Sequence, residues 1–327
     1  MSKLKIAIIQ DAVSTSVVKE LLLANYDVKF LSNEYFNFNR ERVFKEFKIV
    51  WIHVGTIIYK KDLKFLNDKS ILATTSTGTT HIANEVIEFL GSRFISLKNE
   101  KELLSTITST AELAFAFILM GLTNLQCAAN DVKKGNWDRS ENFRPKQVAA
   151  TQLGIIGYGR LGKMVSSYGK SFCAKVLVWD IQESARVEAV QDGFQVTSGL
   201  TELLSNSDAV SIHASTLSGE KPIITKETLV QSRSGLVLVN TSRGLLVDEK
   251  SVLWGLNNGL LNSYFADVLE CEDLGQPITS SKLWKTSLED SRITVTPHIG
   301  GASKDAIEKC ELQIMNRLNS LNLSKLS

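Results

Sequence analysis

The chain has no basic run, no close pair of cysteines and no long uninterrupted apolar stretch, and each absence closes a class of function. Net charge is only +2, and no lysine- or arginine-rich stripe interleaves with aromatics. The electrostatic footprint of a nucleic-acid binder is therefore missing, and no nucleic-acid partner is expected. Cys127, Cys173, Cys271 and Cys310 lie far apart, without a C-x-x-C pair or a histidine cluster beside them. That scatter argues against zinc ligation and for reduced thiols in a cytoplasmic protein, so no metal is expected. The most apolar segment, Ala114 to Leu122, is far shorter than the roughly 20 residues a spanning helix requires. The apolar start, Leu4 to Ile9, is too short for a signal-peptide core and is followed at once by Gln10 and Asp11. No membrane partner is expected.

What remains is an ordinary soluble composition, 43% apolar and 22% charged, in 327 residues, long enough for two domains with separate cores. The first hundred residues repeat a short β-branched or apolar run followed by an amphipathic stretch. The runs are Lys5 to Ile9, Asp27 to Leu31, Ile49 to Val54, Ser70 to Thr74 and Arg93 to Ser96. A second series follows at Leu153 to Ile156, Lys175 to Trp179, Ala209 to His213, Leu236 to Asn240, Ser263 to Asp267 and Ile293 to Thr296. Strands alternating with helices at this spacing predict two parallel sheets, each covered on both faces. Between them the pattern predicts one long helix from Leu103 to Asn124, then a linker from Lys133 to Ala150 marked by Gly135, Asn136, Asp138 and Pro145. The stretch Lys304 to Leu318 reads as a helix that returns the chain to the first domain.

Gly157-Tyr158-Gly159-Arg160-Leu161-Gly162 places G-x-G-x-x-G directly after an apolar strand and before a helical stretch. The pattern alone is a weak signal, but Asp180 ends the next strand 18 residues after Gly162. There a dinucleotide site needs a carboxylate for the ribose hydroxyls. Gly157 permits the tight turn, Gly159 lets the backbone approach the pyrophosphate, and Gly162 allows close helix–strand packing. Asp180 would repel a 2′-phosphate, so NAD is the expected cofactor rather than NADP.

Three further segments end strands on reactive side chains: Arg243 in Asn240–Gly244, Glu272 after Asp267, and His298 in Thr296–Gly301. Ligands of open α/β sheets bind outside the carboxyl ends of the strands, so these positions converge on one crevice. His298 suits a proton donor, because imidazole titrates near neutrality. A carboxylate beside it would favour the imidazolium and orient the ring. The spacing from Asp267 favours Glu272 for this, with Glu270 the other candidate. Arg243 offers a planar, permanent cation that can hold a carboxylate and polarise a carbonyl. Ser76, Thr77 and Gly78 read equally as a plain turn or as an anion nest. His53 ends a first-domain strand, with structural and functional readings balanced, while His213 could be a core residue at a strand end and His81 a helix start.

In order, the glycine turn, Asp180, His213, N-x-x-R-G, A-D-V and T-P-H-I-G-G resemble the D-isomer-specific 2-hydroxyacid dehydrogenases, the family that includes phosphoglycerate and glycerate dehydrogenases. The resemblance also reaches Ser76-Thr77-Gly78 and Thr110–Leu113. It implies an α/β fold of two doubly wound parallel-sheet domains, a Rossmann NAD-binding domain (104–298) inserted into a flavodoxin-like substrate domain (1–103 plus 299–327). It implies catalytic roles for Arg243, Glu272 and His298. It implies cofactor contacts from Gly157, Gly159, Arg160, Leu161, Gly162, Asp180, His213, Thr241, Asp267 and Gly300, and a substrate carboxylate held by Ser76, Thr77 and Gly78 together with Arg243 and His298. It also implies a homodimer formed through the helix near Leu103 to Asn124. The chain departs from the family where Asp273 and Ser215 replace prolines, and where Thr80, His81 and Ala83 stand in place of acidic or amide residues. The expected activity is NADH-dependent reduction of a small, unphosphorylated 2-oxo acid to a D-2-hydroxy acid. The alternative is an NAD-sensing regulator or interaction protein on the same fold.

Overall fold

The computed structural model describes residues 3–79, 81–137, 143–215 and 221–321. Thr80 and Asp138, which the sequence reading used, lie outside the described residues. The chain divides into two compact units, Met1–Ile107 with Ser303–Ser327, and Thr108–Ala302.

The first unit carries a five-stranded sheet of β1 (Lys5–Ile9), β2 (Asp27–Leu31), β3 (Ile49–Ile52), β4 (Ile71–Thr74) and β5 (Phe94–Ile95). All its pairings are parallel, in the order β2-β1-β3-β4-β5. The second unit carries β6 (Gln152–Ile156), β7 (Lys175–Trp179), β8 (Gln195–Val196), β9 (Ala209–Ile212), β10 (Leu236–Asn240), β11 (Leu261–Ala266) and β12 (Ile293–Val295). These seven are also parallel, ordered β12-β11-β10-β9-β6-β7-β8, so the direction of winding reverses between β6 and β9. This is the Rossmann order with one strand added at the edge, and the reversal marks where a nucleotide binds.

Side chains alternate across each strand, and in the central strands both sets are apolar because helices cover both faces. In the first unit, Ile6, Ile8, Trp51 and Ala73 pack on one side, while Ala7, Ile9, Val50, Ile52 and Leu72 pack on the other. The helix Lys304–Ser320 closes the first of these layers with Ile314, Met315 and Leu318. In the second unit, Leu153, Ile155, Val237, Val239 and Phe265 meet Ala114, Phe117 and Ile118, and Val210, Ile212, Leu238 and Tyr264 face the opposite layer.

The single helix expected over Leu103–Asn124 is two helices, Lys101–Ser105 and Ser109–Leu122. The interruption, Thr106-Ile107-Thr108, is a β-branched run, which lowers helix propensity, and the Thr106 hydroxyl bonds the Leu103 carbonyl at 2.8 Å. The two units also meet at this point of the sequence. By length and composition, residues 101–122 would pass for a membrane span, more than a reading confined to 114–122 shows. However, Ala111, Ala114, Phe115, Phe117, Ile118, Gly121 and Leu122 of this segment are buried within the second unit. The two-residue β8 and the turn before the helix Asn84–Leu90, where His81 lies outside the helix, also differ from the expectation.

Candidate active site

At the winding reversal the chain leaves β6 through Gly157, whose φ of +92° suits glycine alone, and a Cβ there would lie 2.7 Å from the Ala214 nitrogen. Gly162 faces this turn from the helix Arg160–Ser171, and a Cβ on it would stand 2.0 Å from the Gly157 carbonyl oxygen. At Gly159 an added Cβ would meet nothing within 4 Å, so the backbone ahead of the helix N-terminus is bare on the side a pyrophosphate needs. Arg160 and Leu161 form the first turn of that helix, and Leu161 packs on the apolar layer beneath. Asp180 follows β7 and accepts from the amides of Tyr158 at 2.7 Å and Gln182 at 2.8 Å. The Asp180 carboxylate is thereby tied to the glycine turn. A dinucleotide fits these groups, and when bound it would supply the hydride.

His213, at the end of β9, has its Nε2 2.9 Å from the Ser211 hydroxyl, while among the described residues its buried Nδ1 has no partner. Burial pushes its pKa down to about 4, so it is neutral at physiological pH. Thr241 is also buried, with its hydroxyl unpartnered among the described residues.

Arg243 owes its place to Asn240. The Asn240 amide group donates to the Arg243 carbonyl at 2.8 Å and its Oδ1 accepts from the Ser242 amide at 3.0 Å, bending the chain beyond β10. The Ser242 hydroxyl anchors this bend to the Ile212 carbonyl at 2.8 Å. Gly244 then lies against the segment that carries Glu272, since a Cβ there would stand 2.0 Å from the Leu269 carbonyl carbon. The guanidinium donates to the Ser242 carbonyl at 2.6 Å.

His298 has a φ of +54°, a left-handed conformation uncommon for a residue with a side chain. Asp267, buried after β11, holds it there. Its carboxylate accepts from the Thr296 hydroxyl at 2.5 Å, the Ile299 amide at 2.9 Å and the Gly300 amide at 2.7 Å. The His298 amide itself donates to the Asp267 and Thr296 carbonyls, both at 3.0 Å. So fixed, the imidazole Nδ1 lies 2.5 Å from Glu272 Oε1. A carboxylate only accepts, so Nδ1 carries the hydrogen and Nε2 is left to exchange a proton. Glu272 holds the imidazole pKa above its ordinary value, against the pull of burial; Asp267 adds to the rise and Arg243 opposes it. Of the two candidate acids it is Glu272 that pairs with the imidazole; the Glu270 backbone amide donates to Glu249 Oε1 at 3.0 Å, and burial raises the Glu270 carboxyl pKa.

In the first unit, the Ser76 hydroxyl donates to the Gly78 carbonyl at 2.7 Å and lies 3.2 Å from the Thr74 hydroxyl. Among the described residues, the Thr77 and Gly78 amides bond no protein acceptor, as an anion nest requires. Beside this loop, His53 Nδ1 accepts from the Gly55 amide at 3.1 Å. Burial lowers the His53 pKa and pushes that of His81 down to about 4, helped by the charge of His53.

Sequence reasoning missed Asn240, Gly244 and Glu249 as supports, though the N-x-x-R spacing was a signal for the first. It also missed Arg186, whose guanidinium donates to the Asp180 carbonyl at 2.7 Å and the Ile181 carbonyl at 3.0 Å.

A glycine turn at a Rossmann reversal, with a carboxylate-paired imidazole and a guanidinium at the ends of neighbouring strands, defines an NAD-dependent oxidoreductase. More narrowly, residues 115–300 match the sequence model of the D-isomer specific 2-hydroxyacid dehydrogenase NAD binding domain, and the chain belongs to that family. It is 27% identical over 268 residues to a glycerate dehydrogenase of Methylorubrum extorquens, covering 80% of this chain and 79% of that one. It is 30% identical over 214 residues to a D-3-phosphoglycerate dehydrogenase of Haemophilus influenzae, covering 65% of this chain but only 50% of that one. A D-lactate dehydrogenase from Aquifex aeolicus, solved with NAD and lactic acid, shares the fold, with a TM-score of 0.81 at 23% identity over 98% of this chain and 96% of that one.

Proposed function

We propose that the protein interconverts a small, unphosphorylated 2-oxo acid and the corresponding D-2-hydroxy acid with NAD(H). The observation that carries this reading is the His298–Glu272 pair at 2.5 Å. An imidazole whose pKa is raised keeps its proton to higher pH than a free one, which suits a carbonyl oxygen that gains charge as hydride reaches its carbon. The overall change consumes 2-oxo acid, NADH and one proton and yields 2-hydroxy acid and NAD+. His298 Nε2 gives up the proton, Glu272 steadies the imidazolium beforehand, and Arg243 holds the substrate carboxylate and polarises the carbonyl. In the oxidation direction, neutral His298 takes the proton back. The Thr77 and Gly78 amides are assigned to the substrate carboxylate.

Phosphate on the substrate tail would call for fixed cations. His53 and His81 are kept neutral by burial, and Arg40, in the same unit, is spent on Asp62 at 2.6 Å. Among the relatives, the name of the glycerate dehydrogenase fits an unphosphorylated substrate and that of the D-3-phosphoglycerate dehydrogenase a phosphorylated one, so the residues carry this choice. We also assign the protein a homodimeric state, for which sedimentation would return twice the 36.2 kDa chain mass.

The test mixes purified protein and NADH with pyruvate, hydroxypyruvate, glyoxylate, longer 2-oxo acids and 3-phosphohydroxypyruvate. Substrate-dependent loss of nicotinamide absorbance with a D-configured product supports the reading. Tight NADH binding without turnover across the panel points instead to an NAD sensor.

A further inference from the structure

Glu272 rides on a helix of only four residues, Glu270–Asp273, too short to hold itself in water. Its start is anchored by Glu249, which accepts from the Glu270 amide at 3.0 Å and from the Ser281 hydroxyl at 2.7 Å. Its end is anchored differently: Asp273 Oδ2 accepts from the Leu245 amide at 3.0 Å. Leu245 belongs to the 3-10 turn Gly244–Leu246, which directly follows Arg243. The two segments therefore touch twice, at Gly244 against Leu269 and at Leu245 against Asp273.

We infer that Asp273 is a positioning residue, one that couples the segment carrying Glu272 to the turn carrying Arg243 and so keeps the carboxylate on His298. The charge of Asp273 is not the agent. The groups that set the charge state of His298 are Glu272, Asp267 and Arg243, and Asp273 is not among them. What acts is its acceptor oxygen, and an asparagine supplies one equally. Without that acceptor the end of the helix frays, Glu272 drifts from the imidazole, and the proton on His298 is held less tightly.

The test compares Asp273→Ala with Asp273→Asn in the full chain. The imidazole of His298 is titrated by NMR without substrate, its resonance assigned with His298→Gln. Asp273→Ala should lower the His298 pKa by about half a unit or more, while Asp273→Asn keeps it at the wild-type value. In turnover, which rests on the proposed activity, Asp273→Ala should lower kcat about tenfold with NADH affinity unchanged, and Asp273→Asn should restore it. An unshifted His298 in Asp273→Ala overturns the inference, as does an equal shift in both variants, which would make charge the cause. If the wild-type protein turns over no 2-oxo acid, the proposed activity fails alone and the NMR comparison still decides the role of Asp273.

Discussion

At the scale of single residues, the proposed chemistry rests on His298, held in a left-handed conformation. Replacing it with alanine should lower kcat by about 10²- to 10⁴-fold, the usual contribution of a positioned acid, with NADH affinity unchanged. Steady-state kinetics and fluorescence titration check this, and a parallel loss of both quantities would contradict the proton-donor assignment. The Glu272 pair also fixes a direction for pH. Reduction needs imidazolium, so its rate falls as pH rises through the raised pKa of His298, while oxidation gains over the same interval. Glu272→Gln removes the largest raising influence, so the alkaline limb of kcat/KM for reduction should move to lower pH. A profile superimposed on the wild type would refute that pairing. Arg243 and His298 were legible in sequence because each follows a strand beside glycine or proline, and Glu272, on a short helix beyond β11, was legible by its spacing from Asp267. The left-handed backbone of His298 and the three donors gathered by Asp267 were not, since backbone dihedrals and contacts across 29 to 33 positions leave no local signature.

At the scale of elements, β1, β2, β7 and β10 were readable to the residue, because apolar β-branched runs end abruptly on polar or glycine-bearing turns. The two-residue β8 has no run long enough to register, and the break at Thr106–Thr108 was masked by the apolar Leu103-Leu104 before it and Ala114–Leu122 after it. The element most exacting in its sequence is the glycine turn and the helix behind it. Gly162→Val would force a branched side chain onto the Gly157 carbonyl, a collision that no side-chain rotation relieves. It should cost about 2–3 kcal/mol of stability and weaken NADH binding at least tenfold. Thermal unfolding and NADH titration report the two effects, and an unaltered NADH affinity would mean the turn is not the dinucleotide cradle.

At the scale of the whole molecule, the first unit is assembled from two distant stretches of chain, joined by apolar packing and by a buried carboxylate that accepts hydrogen bonds from the other stretch. Glu311, 2% exposed on the helix Lys304–Ser320, accepts from the Ser14 amide at 2.6 Å, the Ser14 hydroxyl at 3.0 Å, the Thr15 amide at 3.1 Å and the Thr15 hydroxyl. Glu311→Ala would remove a buried acceptor from donors at the edge of the site and should destabilise the first unit by about 1–3 kcal/mol, read as a lower urea midpoint. A change within about 0.5 kcal/mol would show that water replaces the carboxylate there without penalty. Because Ile314, Met315 and Leu318 complete a core begun by Ile6 and Ile8, β1 must wait during synthesis for a helix that follows the whole second unit in sequence. Residues 108–302 have no such dependence and can mature while synthesis continues. The opening hundred residues meanwhile hold an uncovered apolar layer, the condition under which nascent chains aggregate or recruit chaperones.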